Sequence, residues 1–87
     1  MAMKIEKEKK CVDIYTSQYK ISGHVHIPVH ARLTDSLQAL SRQSGFLPVT
    51  NTVIKFKNGK QKEENFILIK IDEIEMICLK DRNKKNT

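Results

Sequence analysis

Three histidines, His24, His26 and His30, stand close together in the pattern H-x-H-x-x-x-H. Residues i and i+2 of a strand project to the same side, so His24 and His26 are a candidate pair of transition-metal ligands, with His30 beyond Pro28 as a third. Spacing places no supporting carboxylate beside them, and His24 and His26 share the polar side of their segment with Lys20. Solvent-facing histidines or an interface pair explain the pattern more simply, and no metal is expected. A general-base or Ser-His-Asp reading fails for want of a G-x-S-x-G elbow around any serine. Asp72, Glu73 and Glu75 lack the calcium-loop pattern. No G-x-x-x-x-G-K-[ST] occurs in a chain with three glycines, so a phosphate-cradling loop is absent as well. The expectation is a protein that is not an enzyme and takes no cofactor.

A second group is basic. Lys55, Lys57, Lys60 and Lys62 flank Asn58-Gly59, the dipeptide that favours a two-residue type I′ hairpin. Such a turn sets Lys57 against Lys60, Phe56 against Gln61 and Lys55 against Lys62, and puts four lysines on one face. Like charges facing each other destabilise a hairpin, so the ladder wants solvent, the nearby Glu63 and Glu64, or an anionic partner. Weak, sequence-independent nucleic-acid (RNA) binding through these lysines and the basic tails is the alternative function. The aromatics Tyr15, Tyr19, Phe46, Phe56 and Phe66 fall mostly at core positions, which leaves no stacking platform beside the ladder. Cys11 and Cys78 lie in apolar, strand-like runs and read as small buried side chains.

Behind these groups, the stretch Gly23 to Gly45 is where strand gives way to helix. Tyr19, Ile21, Gly23, Val25 and Ile27 alternate with polar residues, the period of a strand with one face on a core, and Pro28 ends it. Leu33, Leu37 and Leu40 then form one stripe of a helix of two to three turns. Thr34 or Asp35 caps its start, and Gly45 closes its end. Before it, Cys11 to Thr16 is a first strand with Val12 and Ile14 on one face, joined to the second by a tight link at Ser17-Gln18. After it, Phe46, Leu47 and Val49 around Pro48 read as an extended connection plugging a core end, and Thr52 to Lys57 as the third strand. Phe66 to Ile71 and Ile74 to Leu79, separated by Asp72-Glu73, are apolar on both faces, as strands covered on both sides should be.

An 87-residue chain supports one domain near the lower limit for a single core. Of the net charge of +6, residues 1–10 carry +2 and residues 80–87 carry +3, so the basicity is mostly terminal. The expected organisation is a disordered charged leader over 1–10, a β-rich domain over 11–79 and a basic disordered tail over 80–87. The first ten residues contain no apolar signal region, and no run of eighteen apolar residues occurs, which points to a cytoplasmic protein with no membrane partner. Two strands covered on both sides in so small a chain require a rolled sheet or a neighbouring subunit. The expected fold is mainly β: a strongly bent five-stranded antiparallel sheet or small barrel with one short helix, in the order ββαβββ.

The pieces G-H-V-H-I-P, A-R-L-T-D-S-L, F-L-P-V-T-N and F-I-L-I-K-I-D-E-I-E-M-I resemble an uncharacterised family of small bacterial domains, in which a strand ending in Pro precedes an R-L-[ST]-D-x-L helix start and an F-x-P segment. The resemblance covers residues 12 to 79 and implies a fold but no function. The bent sheet is also distantly similar to Sm-like and SH3-like barrels, although an Sm-like protein carries its helix before the first strand. The R-x-x-x-R and D/N-x-S-x-x-G signatures of the PilZ barrel are missing. Together these readings give a non-enzymatic interaction module, a homo-oligomer that docks a protein partner through an edge strand or the face near the helix.

Overall fold

A computed structural model describes residues 6–80. Residues 1–5 and 81–87 lie outside the described residues, and with them half of the expected leader and all of the expected tail but Lys80. The elements are β1 (Lys7–Tyr15), β2 (Tyr19–Pro28), α1 (Leu33–Gln43), β3 (Phe46–Phe56), β4 (Gln61–Lys70), a 3-10 turn (Ile71–Glu73) and β5 (Met76–Leu79). The five strands form one antiparallel sheet in the order β4-β3-β2-β1-β5, so the ββαβββ order holds and the sheet is not closed.

The sheet is nevertheless strongly bent, and chain length requires it. β4 ends at Lys70, level with Phe46 at the start of β3, whereas β5 begins at Met76, level with Tyr15 at the far end of β1. A flat sheet would separate these points by about 30 Å, four strand spacings across and nearly the length of β1 along. The six peptide steps between them reach only about 20 Å when fully extended. Curling the sheet closes the difference, and Ile71, Ile74 and Ile77 then pack on the core as the chain crosses its end.

That core lies on the concave face. Val12, Ile14, Ile21, Val25, Ile27, Leu47, Val49 and Ile69 are buried, each hiding a side chain that stabilises the fold by about 1.5–3 kcal/mol. The alternation of Val12 with Ile14 and of Ile21, Val25 and Ile27 is the expected one. Gly23 belongs to the same row but has no room for a side chain. A Cβ there would stand 2.8 Å from Val49 Cγ1 and 2.9 Å from both the Thr50 carbonyl oxygen and Thr52 Cγ2. The crowding comes from a register shift between Ser22 and His24, where β3 turns through Asn51 with φ +50°. Buried positions therefore move from Leu47 and Val49 before Asn51 to Thr52 after it, whose hydroxyl donates to the Glu64 carbonyl at 2.9 Å.

Four expectations about the elements are corrected. β1 begins at Lys7, since residues 7–10 pair with Val25–Pro28 rather than forming a leader, and a Lys10–Glu8 ion pair of 2.9 Å lies along that segment. β3 begins at Phe46, so the supposed connection around Pro48 is strand. Pro48 is tolerated because pairing between β2 and β3 stops at His24 and Thr50, just before the missing N–H would be needed. Neither Thr34 nor Asp35 caps α1; Arg32 holds the cap position with no side-chain bond, and its carbonyl takes the first helical hydrogen bond, from Ser36. The Asn58-Gly59 turn is not type I′. Gly59 donates to the Phe56 carbonyl, Phe56 donates to the Lys60 carbonyl, and positive φ falls on Gly59 (+90°) but not on Asn58. The loop thus has three residues, a type I turn closed by a left-handed glycine, with Asn58 Oδ1 accepting from the Lys60 N–H at 2.9 Å.

The remaining links behave as read. Thr16 Oγ1 accepts from the Gln18 and Tyr19 N–H groups, which holds the Ser17-Gln18 link without a glycine. Ser44 and Gly45 both donate to the Leu40 carbonyl and close α1. The helix fills the gap where β2 and β3 part, its Leu33, Leu37 and Leu40 resting on the core without being fully buried.

Candidate interaction surface

The three histidines do not assemble. His24 and His26 lie on the convex face of β2, opposite Cys11 and Lys9 of β1, while His30 sits in the following turn with φ +72°. His26 Nε2 lies 3.1 Å from Thr50 Oγ1. Among the described residues no group of three or more His, Cys, Asp or Glu side chains is arranged to hold a metal ion.

The lysine ladder is also dispersed. In the three-residue loop register Lys55 faces Gln61 and Ile54 faces Lys62, so Lys55 and Lys62 project from opposite faces of the sheet. Lys57 belongs to the loop, and Lys60 closes it opposite Phe56. Lys62 pairs with Glu64 at 3.2 Å, and Lys55 stands beside Lys20 of β2, whose ammonium lies 5.5 Å from the Tyr15 ring. The one-residue change in loop length is what separates them.

The middle of the convex face is polar, and Asp13 gathers its contacts. Ser22 Oγ donates to Asp13 Oδ1 at 2.8 Å, and Lys80 Nζ approaches the same oxygen at 3.7 Å. Asp13 is mostly covered, with 13% of its side chain exposed. Cys78, expected to be buried, is exposed on β5 opposite Asp13, and Cys11 is half-buried.

Large apolar side chains lie at the margin. Phe66 is 57% and Leu68 55% exposed on β4, next to Phe46 at 40% and the exposed Pro48 on β3. On the opposite edge Met76 and Leu79 are exposed by about half. The expectation that the last two long apolar runs are covered on both faces is therefore corrected. Ile69 is buried and Ile67 half-buried on one side of β4, but Phe66 and Leu68 on its other side face solvent within the single chain. Comparison with protein-family models, curated proteins and solved structures finds no match. The surface must be judged on its own chemistry.

That chemistry is apolar side chains exposed at a sheet edge. Sequence reasoning saw Phe66 and Leu68 but assigned them to a core; the missing signal was strand order, which puts β4 at the edge of the sheet. A cavity of about 190 Å³ lies between α1 and the diverging ends of β2 and β3, lined mainly by Leu33, Leu37, Leu40, Ile27 and Leu47 with Lys7 and His26. Among the described residues no helix is long and apolar enough to cross a membrane.

Proposed function

We propose that this chain is a non-enzymatic, self-associating interaction module that docks a protein partner through the margin formed by β3 and β4. The observation that carries the reading is the strip of Phe46, Pro48, Phe66 and Leu68, apolar and exposed on adjacent strands at a sheet edge. Exposed apolar patches rimmed by polar groups are typical of protein contact sites, and aromatic residues are enriched at interface centres. The neighbouring Lys70, Glu63 and Gln61 supply a polar rim.

The test is native mass by sedimentation equilibrium across a wide range of concentrations, at low and high salt. Mass that rises with concentration and hardly responds to salt is the expected result, because apolar contacts are little screened. A single-chain mass at every concentration would overturn the reading. A mass that rises but collapses on adding salt would overturn the apolar strip as its cause.

A further inference from the structure

We infer that the occupant of the β4 edge is the β4 strand of a second copy of this chain, paired antiparallel about a two-fold axis at Leu68. The inference rests on the self-association proposed above and specifies its geometry.

Ile71 donates to the Gly45 carbonyl at 2.9 Å, directly across the β3–β4 ladder. Antiparallel ladders alternate bonded and non-bonded pairs. Val49–Ile67 and Leu47–Ile69 are then the bonded pairs, while Phe66, Leu68 and Lys70 turn their N–H and C=O groups away from β3. At the loop end the phase is the reverse. Phe56 donates to the Lys60 carbonyl, which makes Ile54–Lys62 and Thr52–Glu64 the bonded pairs. The change of phase occurs at Asn51 and Asn65, so one continuous stretch of edge, Phe66 to Lys70, offers three residues ready to pair.

A two-fold axis perpendicular to a sheet passes between a residue and its own copy. Centred on Leu68, it sets Leu68 against its counterpart and Phe66 against Lys70 twice, so all three open residues of each chain find bonded partners. Centred on Ile67, it would pair only Phe66 with Leu68, since Lys70 would face Glu64, whose backbone is turned towards β3. Centred on Phe66, it would set Leu68 against Glu64 and Lys70 against Lys62, and the backbones of Glu64 and Lys62 are turned towards β3, so only the Phe66 pair would bond. The Leu68 register is also complementary in its side chains: each Lys70 ammonium meets a Phe66 ring, the attraction of a cation for an aromatic face, around a Leu68 pair. The other open edge competes less well. Lys80 donates to the Cys11 carbonyl, a phase that leaves only Ile77 and Leu79 of β5 turned outward, so head-to-tail pairing of β4 with β5 has fewer open groups to join.

Charge variants test the register, with mass read by sedimentation and folding by circular dichroism. Leu68→Arg places two guanidinium groups across the axis and is expected to weaken the dimer at least about tenfold with the spectrum unchanged. Phe66→Lys sets it against Lys70 twice and is expected to do the same. Adding Lys70→Glu to Phe66→Lys converts both contacts to opposite charges and is expected to restore the dimer. If the parent chain never exceeds one-chain mass, self-association itself falls and this geometry with it. A parent dimer untouched by Leu68→Arg, or a double variant that stays monomeric, overturns the β4 pairing while leaving self-association standing. Masses that climb beyond two chains overturn the two-fold pairing in favour of head-to-tail assembly.

Discussion

The sheet has two open edges, and they are finished differently. Beyond the part of β1 covered by β5, residues 7–10 present Lys7, Glu8, Lys9 and Lys10 in sequence, a charged border of the kind that discourages another strand from adding on. Across the sheet, residues 66–70 of β4 present Phe66, Ile67, Leu68, Ile69 and Lys70. One edge repels a neighbour and the other lacks any such guard. The difference is what supports the proposed association at β4, because an apolar edge left unguarded is either a liability or a binding surface.

The sharpest way to break that contrast uses two adjacent residues. Ile69 is 3% exposed and Leu68 is 55% exposed on the same strand. Ile69→Ala is expected to cost about 2–5 kcal/mol of folding stability, as a cavity in the core does. Leu68→Ala, measured by urea unfolding at a concentration where the parent is monomeric, is expected to stay within about 0.5 kcal/mol. Equal losses at both positions would mean that the convex face of β4 is covered within one chain, and the distinction between the two edges would disappear.

The elements were legible in sequence wherever a period met a specific stop. The helix is an example, since its leucine stripe and Gly45 are local signals, and so is β2 with Pro28. What sequence hid was relational. Lys7 to Lys10 reads as a solvated leader because charge says nothing about whether a neighbouring strand needs a partner, and β2 does. Phe66 and Leu68 read as core because apolar residues on both faces are the same pattern whether the second cover is in the chain or beyond it. The histidines looked like ligands by spacing alone, and the turn after Pro28 sends His30 elsewhere.

The hairpin belongs to the same class of error and yields a second, smaller prediction. Asn-Gly is compatible with a two-residue loop and a three-residue one, and the choice shifts every later partner in β4. In the three-residue loop only Gly59 needs positive φ, so Gly59→Ala is expected to cost about 1 kcal/mol. Asn58→Ala should lose only its exposed bond to the Lys60 N–H, a few tenths of a kcal/mol. Chemical denaturation of the two variants decides between the loops. Were Asn58→Gly to stabilise the protein strongly, a left-handed residue 58 would be indicated, and the β4 register built on the longer loop would have to be redrawn.

The smallest expected effect concerns the charged edge. Glu8 is held below the ordinary carboxylate range by its hydrogen bond to Lys10 and by the charge of that ammonium, with His30 adding slightly. A lowered folded-state value means that the pair contributes fully above the unfolded carboxylate value and loses its contribution as pH falls through the folded one. Because Glu8 is open to solvent, the contribution is screened, and Glu8→Gln should leave the urea midpoint at neutral pH almost unchanged while slightly flattening its fall in acid. High salt should erase even that. If Glu8→Gln instead loosened the protein at neutral pH as much as a core truncation does, residues 7–10 would be a structural seam rather than a guarded border, and the charged edge would owe its composition to folding instead of to keeping neighbours away.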